Sequence, residues 1–234
     1  MLAGNIVQVR PERKALSAAV GPTCCSGREQ RSKTAHAGGA IPLLKESLRK
    51  ELRAQRRSLS DSDYRRRSLA AARALTRLRM FSSGKRVALY LPIDREVDTA
   101  TLVRAARQRG VRIFVPVISH RRHRRLRFFP LTAKTTPGTF GISVPLRRRG
   151  PVGAQWLDLI VIPLVGVDAA GARLGMGGGY YDRALAFRRR RTQWKGPYLV
   201  GLAFDCQRTG LKFADEWDIQ LDSLATESGV RQFL

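Results

Sequence analysis

The hydrophobic positions of the chain gather into four short runs that are almost entirely apolar. They are VALYL at residues 87–91, RIFVPVI at 112–118, LIVIPLV at 159–165 and YLVGLAF at 198–204. A strand with one face in water alternates apolar and polar side chains, whereas a strand covered on both faces does not. The runs therefore predict buried strands of a parallel sheet.

A first helix is predicted to begin near Lys45. Four side chains follow helical spacing and would form its packed side: Leu48, Leu52, Gln55 and Leu59. Lys45, Arg49 and Arg53 fall four residues apart on a neighbouring face. One side of this helix is expected to pack, and another to present positive charge.

Three further helices are expected between the strands. Ser60 followed by Asp63 is typical of a helix start and predicts a helix that runs to about Arg79. The other two cover residues 98–109, where Gly110 ends the pattern, and about 179–190. Residues 126–145 break the rhythm with prolines and glycines, which predicts a hairpin and loop over one edge.

The order of these elements defines the fold class. Strands and helices alternate, so we predict an α/β fold with a mostly parallel central sheet flanked by helices in a single three-layer domain. With 234 residues, the chain has room for one such domain and a tail. We expect a disordered basic extension over residues 1–40, a catalytic domain over 43–228 and a tail over 229–234.

The extension leaves several interpretations open. It is acid-poor and shows neither a strand nor a helix period. A plain tail, a mitochondrial transit peptide and a start-site artefact all fit that composition. Three cysteines exclude a disulfide framework, and no apolar stretch reaches the roughly 20 residues that a membrane span needs. We expect a cytoplasmic monomer without a membrane partner, and mitochondrial import stays open.

The net charge of +26 makes polyanions candidate partners. Arginine runs at residues 65–67, 121–127, 147–149 and 188–191 supply much of it. However, 43% of the residues are hydrophobic, which excludes a disordered protein that only neutralises nucleic acid. Most of these arginines are expected to lie on solvated surface.

The stretch RLGMGGGYYDR at residues 173–183 is the most informative motif. It lies between a predicted strand and a predicted helix, where the exposed amides of its glycines would form a cradle for phosphate. It is neither a dinucleotide fingerprint nor a Walker loop. Arg173 could bind phosphate, Asp182 could bind Mg²⁺, and Tyr180 and Tyr181 could stack on a heterocycle.

This stretch resembles the signature of the 5-formyltetrahydrofolate cyclo-ligase family, also called 5,10-methenyltetrahydrofolate synthetases. The similar segments extend over roughly residues 43–228, and they are KESLRKELR at 45–53, ALYLPIDREVDT at 88–99, GTFGI at 138–142, DLIVIPLVGVDAAGARLG at 158–175 and EWDIQLDSLATE at 216–227. The resemblance implies an ATP- and Mg²⁺-dependent enzyme that closes 5-formyltetrahydrofolate to 5,10-methenyltetrahydrofolate. ADP and phosphate would be released after the formyl oxygen is phosphorylated.

The resemblance also implies three sets of site residues. ATP would be held by Lys45, Arg49, Arg173, Leu174, Gly175, Met176, Gly177, Gly178, Gly179, Tyr180 and Tyr181. The folate, with or without a polyglutamate tail, would contact Leu91, Glu96 and Phe140. Asp182 and Asp218 would bind Mg²⁺ directly or through water, with the nearby Asp215 and Asp222 as alternatives to Asp218. Met176 departs from the family, in which an aromatic or basic residue is common, so nucleotide affinity is expected to differ.

Two other functions compete with this one. A nucleic-acid or ribosome-associated protein with the same fold would use the basic runs, and its RNA binding would weaken steeply with salt. A different small-molecule kinase or ATP-dependent ligase would bind ATP and ignore folate.

Overall fold

The computed structural model describes residues 40–146, 148–191, 196–215 and 217–233. Apart from Ala40, the predicted basic extension lies outside the described residues. The helices are α1 (Ala40–Arg57), α2 (Asp61–Thr76), α3 (Ala100–Gln108) and α4 (Tyr180–Leu185). The strands are β1 (Arg86–Ala88), β2 (Arg112–His120), β3 (Arg125–Pro130), β4 (Thr135–Pro137), β5 (Ser143–Pro145), β6 (Leu159–Pro163), β7 (Gly166–Val167), β8 (Arg173–Leu174), β9 (Tyr198–Leu202), β10 (Ser223–Thr226) and β11 (Gly229–Gln232).

A seven-stranded sheet in the order β11-β10-β9-β6-β1-β2-β3 forms the centre of the fold. The strands from β10 to β2 in this order are parallel, and β1 lies between β6 and β2. The two edge strands, β3 and β11, are antiparallel to their neighbours. The mostly parallel sheet predicted from the apolar runs is therefore confirmed.

Helices cover both faces of this sheet. Leu75 of α2 and Leu102 of α3 pack with Leu89 on one face. On the other face, Leu185 of α4 packs with Ile160, together with a short 3₁₀ turn, Ala154–Trp156. Three layers are thus confirmed.

Helix α1 packs against the carboxyl-end edge of the sheet through Leu48 and Leu52, which join a small buried cluster with Leu174. Gly166 permits this close approach, because a Cβ there would lie 2.3 Å from Leu52 Cδ1. The helix begins at Ala40 and not near Lys45, and it ends at Arg57, so Leu59 lies beyond it. Gln55, predicted on the packed side, is exposed, and the neighbouring Arg56 is the buried position.

For the other helices, the sequence predicted the first residues more accurately than the last ones. The Asp63 amide donates to Ser60 Oγ at 3.1 Å, so the predicted start of α2 is confirmed. The helix ends at Thr76, earlier than predicted. After α4, the predicted helix continues only as a 3₁₀ turn, Ala186–Arg190. Gly110, with φ of +66°, follows α3 as expected.

The predicted hairpin region forms the edge of the sheet. Strand β3 pairs antiparallel with β2, and β4 pairs with β5 in a separate two-stranded sheet. Arg125 and Arg127 are exposed on β3, and Arg231 is exposed on β11. Across the described ranges, no helix is both long enough and apolar enough to cross a membrane.

Candidate active site

A cavity of about 1420 Å³ opens where β1, β2 and β6 end, and we call it the carboxyl-end cavity. Open α/β sheets bind ligands at this edge, because loops and helix starts converge there. The lining includes all of the site residues expected from the sequence: Lys45, Arg49, Leu91, Glu96, Phe140, Arg173, Leu174, Gly175, Met176, Gly177, Gly178, Gly179, Tyr180, Tyr181, Asp182 and Asp218. Segments far apart in the chain thus meet in one place.

Lys45 of α1 lies between two carboxylates. Its Nζ donates to Asp215 Oδ2 at 2.6 Å and to Asp218 Oδ2 at 3.0 Å. Burial alone would lower the pKa of Lys45, but the hydrogen bonds and charges of the two aspartates outweigh it and raise the pKa. Lys45 therefore stays positively charged. Asp215, one of the two alternatives to Asp218, thus binds Lys45 as well, whereas the other, Asp222, binds Arg188.

Arg49, one turn further along α1, reaches residues 175–179, which we call the glycine loop. Its Nε donates to the Gly175 carbonyl at 2.9 Å. Gly177 and Gly179 have φ of +86° and +65°, a region that other residues adopt at a cost. A Cβ on Gly177 would lie 3.8 Å from Arg49 Cζ. The basic side of α1 and the four glycines of residues 175–179 thus face the same space.

Arg173 and Asp182 form an ion pair across the start of α4. The Arg173 side chain is largely buried, and its Nε has no hydrogen-bond partner within the described residues. Its guanidinium also lies 5.7 Å from the centroid of the Tyr181 ring. The two residues predicted to bind phosphate and metal are therefore bound to each other when no ligand is present.

Glu96 is a buried carboxyl group in the cavity wall, only 8% exposed. Its Oε2 accepts a hydrogen bond from the Ile93 amide at 3.1 Å. Burial raises the pKa of Glu96 to about 7, against the opposing effects of that hydrogen bond and of the Arg56 charge. Near neutral pH this group can therefore hold or release a proton.

The turn that carries Glu96 is tied to α1 by Asp94. Three arginines donate to its carboxylate: Arg53 Nε at 3.0 Å, Arg56 Nη2 at 3.0 Å and Arg57 Nε at 2.5 Å. Burial alone would raise the pKa of Asp94, but the three guanidinium groups lower it. Arg56 is 1% exposed, so sequence periodicity, which favours apolar residues at buried positions, gave no sign of its role.

Aromatic and thioether side chains form part of the cavity wall. Phe140 is 58% exposed, and the Arg121 guanidinium lies 5.0 Å from its ring centroid. Phe140 and Tyr180 meet edge to face at 6.5 Å. Tyr181 is more deeply placed, and burial raises its pKa. Met176 is 53% exposed and available to a ligand.

The described arginines of the basic runs lie mostly on solvated surface, as expected. Arg65, Arg122 and Arg125 are exposed. Arg124, Arg148 and Arg189 are exposed too, and they line the carboxyl-end cavity, whereas Arg188 is half-buried and binds Asp222 at 2.9 Å. Arg147 and residues 192–195 lie outside the described ranges. Charge alone did not distinguish these positions, because the strand and loop paths decide which arginines face the cavity.

No described group of three or more His, Cys, Asp or Glu side chains is arranged to hold a metal ion. Mg²⁺ in nucleotide sites usually needs only one or two carboxylates, together with phosphate oxygens and water. Asp182 and Asp218 each provide a carboxylate in the cavity wall. The donors present fit a magnesium ion that arrives with a phosphate ligand, and they do not form a preassembled metal cage.

The comparisons with known proteins all point to the same family. The sequence profile of the 5-formyltetrahydrofolate cyclo-ligase family matches residues 43–227. A 5-formyltetrahydrofolate cyclo-ligase of Escherichia coli (strain K12) is 32% identical over 183 residues, which cover 76% of this chain and 98% of that protein. The Mus musculus enzyme of the same name is 30% identical over 194 residues, covering 80% and 95%. A solved structure, Aquifex aeolicus 5,10-methenyltetrahydrofolate synthetase, has 34% identity and a TM-score of 0.68 and covers 81% of this chain and 92% of that chain.

Proposed function

Because the chain belongs to the 5-formyltetrahydrofolate cyclo-ligase family, a family of ligases, we propose that it closes 5-formyltetrahydrofolate to 5,10-methenyltetrahydrofolate at the expense of ATP. One observation carries the proposal. The carboxyl-end cavity joins a cationic, glycine-lined end to a wall that contains Glu96 and apolar side chains. Such a cavity offers one end to a triphosphate and the other to a pterin.

The triphosphate is proposed to lie between α1 and the glycine loop. Lys45, Arg49 and Arg173 supply three positive charges there, and the four glycines of residues 175–179 supply backbone amides without side chains. Charge-assisted hydrogen bonds of this kind suit phosphate oxygens. Phosphoryl transfer needs mainly alignment and charge neutralisation, so the chain requires no Ser, Cys or His nucleophile.

Two ion pairs are proposed to exchange partners when nucleotide binds. In the free protein Lys45 binds Asp218, and Arg173 binds Asp182. A phosphate group attracts each cation, which leaves each carboxylate available to a metal ion or its water ligands. Asp182 and Asp218 would then hold Mg²⁺, which neutralises phosphate charge when it is bound. Site charges would thereby stay compensated in both states.

The chemistry explains why the reaction consumes ATP. A formamide oxygen is a poor leaving group, so the formyl oxygen attacks the γ-phosphorus and ADP departs. The resulting iminium phosphate is attacked by N10, which forms the new C–N bond and loses its proton. Cleavage of the C–O bond then releases phosphate, which carries away the formyl oxygen. The protein's task is to hold the formyl oxygen and the γ-phosphoryl group in line.

Glu96 is proposed to orient the folate. It lies in the cavity wall with one oxygen bonded to the Ile93 amide, which leaves the other side of the carboxyl group for the substrate. A protonated Glu96 can donate a hydrogen bond to the pterin, whereas an ionised Glu96 can only accept one. Which of the two it offers therefore changes with pH near 7. Leu91 and Phe140 are proposed to pack against the ring system.

The direct test is to mix the purified protein with Mg-ATP and 5-formyltetrahydrofolate and to follow the absorbance of the methenyl product. Product that requires both ATP and Mg²⁺ is expected. Lys45→Ala should lower the rate at least about tenfold, because a phosphate contact is lost. Lys50→Ala is the matched control, since Lys50 is exposed on the same helix and does not line the cavity. A folded protein that binds ATP but makes no product would instead favour a different ATP-dependent kinase or ligase.

A further inference from the structure

A second cavity lies at the opposite edge of the sheet, where β1, β2 and β6 begin, and we call it the amino-end cavity. It measures about 470 Å³, within the range of small-ligand sites. Its lining includes Lys85, Arg86, Arg112, Trp156 and Asp158. None of these residues lines the carboxyl-end cavity, so the proposed cyclisation does not use them.

Positive charge dominates the described lining of this cavity, with three cations and one carboxylate. The carboxylate of Asp158 accepts the Arg86 amide at 2.8 Å and Lys85 Nζ at 3.4 Å. Arg112 Nη2 instead donates to the main-chain carbonyl of Gly84 at 3.1 Å. Carbonyl contacts hold a guanidinium in place without cancelling its charge. The cavity therefore presents fixed positive charge to solvent.

A tryptophan lies beside these cations. The Trp156 side chain is 62% exposed, which is a costly position for a large apolar ring. Its backbone is held at both polar groups, because its amide donates to Gly153 at 3.1 Å and its carbonyl accepts from Arg86 Nη1 at 3.4 Å. The backbone that carries this exposed indole is thus held next to Arg86.

From this combination we propose that the amino-end cavity binds single-stranded nucleic acid. A base stacks on Trp156, and the adjoining phosphates contact Arg86 and Arg112. Stacking platforms beside cations are how proteins bind single strands with little sequence preference. The net charge of +26 draws such a polyanion to the surface. An acidic peptide matches the charge but brings no flat heterocycle to the indole.

The test is fluorescence anisotropy of a labelled single-stranded RNA of about 12 nucleotides, titrated with the full chain at several salt concentrations. Trp156→Ala should weaken binding about fivefold or more. Arg112→Ala should weaken binding and reduce the slope of log affinity against log salt by about 0.7. Both side chains are exposed, so circular dichroism should show that the variants remain folded.

Two matched controls separate this site from general attraction to a basic protein. Trp217→Ala removes a tryptophan that is 60% exposed but lines the other cavity. Arg122→Ala removes one exposed charge that lines neither the amino-end nor the carboxyl-end cavity. Both controls should bind RNA like the wild type. The proposal is overturned if the wild type does not bind, if Arg112→Ala and Arg122→Ala weaken binding equally, or if Trp156→Ala has no effect. Adenosine monophosphate that binds the cavity as tightly as the oligonucleotide would also overturn it.

Discussion

Charged side chains of the carboxyl-end cavity form pairs that no local pattern in the sequence reveals. Lys45 and Asp218 are 173 positions apart, and Arg173 and Asp182 are separated by the whole glycine loop. The motif suggested that each of these residues was present for a ligand. It gave no sign that they neutralise one another beforehand, because pairing depends on how α1 and the 215–218 loop are brought together by the sheet.

The pair between Arg173 and Asp182 predicts a cost in stability as well as in activity. Asp182→Asn removes the charge that compensates a largely buried guanidinium, so we expect the free energy of unfolding to fall by about 1–3 kcal/mol. We also expect the cyclisation rate to drop at least about tenfold.

Urea unfolding and the methenyl assay measure these two effects of Asp182→Asn. Glu46→Gln is the control for stability, because Glu46 is an exposed carboxylate in the wall of the same cavity. Its stability should match the wild type. An Asp182→Asn protein with wild-type stability and full activity would contradict both expectations.

Glu96 makes stability depend on pH in a defined direction. Its pKa is about 7 in the folded protein and 4.5 as a reference. The folded state therefore keeps a proton that the unfolded state releases, and stability is lost as pH rises through this window. Glu96→Gln stays neutral and should gain about 2–3 kcal/mol relative to the wild type between about pH 5 and about pH 8.

Unfolding by urea at both pH values measures this change. The Glu46→Gln protein should show no comparable gain, since Glu46 is exposed. A Glu96→Gln protein whose stability relative to the wild type is the same at both pH values would show that Glu96 is already ionised in the fold.

At the scale of elements, the sequence was most informative where one local cause dominates. Apolar runs located β1, β2, β6 and β9 because these strands are covered on both faces, and Ser60 located the start of α2 because its hydroxyl caps the helix. The helical pattern in the sequence continues past Thr76 and past Leu185, so it does not mark the end of α2 or the short length of α4. The motifs predicted that the expected site residues lie together. They gave no sign that Asp94 binds arginines of α1.

The contact between α1 and the turn at Asp94 predicts that this single carboxylate is important for stability. Asp94→Asn leaves the Arg56 guanidinium, 1% exposed, without its charged partner. Breaking a buried pair by removing one charge costs about 3–5 kcal/mol, so the midpoint of urea unfolding should fall clearly. Binding of ATP should weaken too, because α1 carries Lys45 and Arg49.

Asp61→Asn is the matched control for Asp94→Asn. Asp61 also accepts from an arginine, Arg95, but its side chain is 72% exposed, and water replaces that contact readily. Its unfolding midpoint should stay close to that of the wild type. Equal stability of the two variants would mean that the Asp94 contacts do not hold α1.

At the scale of the whole molecule, nothing in the fold accounts for the large net positive charge. A net charge of +26 repels itself, and compact states suffer most from that repulsion. Ion pairs such as Arg67 with Glu227, at 3.1 Å, relieve it locally. With 44 basic and 18 acidic residues, basic side chains outnumber their possible acidic partners by more than two to one.

This imbalance predicts that moderate salt stabilises the protein. Raising sodium chloride from about 0.02 M to about 0.3 M shortens the range of repulsion, so the Tm measured by differential scanning fluorimetry should rise by a few degrees. Potassium chloride at the same ionic strength should give the same shift, since screening depends on ionic strength. A Tm that falls with salt would mean that the ion pairs outweigh the repulsion.

The borders of the sheet show where the excess of arginine has a structural consequence. Strands β3 and β11 present Arg125, Arg127 and Arg231 on their exposed positions. At Phe128 the outer border of β3 is already paired, through two backbone hydrogen bonds with Val152. An open strand border invites a second molecule to add its own strand, and charged side chains oppose that approach. A neighbouring copy that came alongside would meet like charge before any free amide.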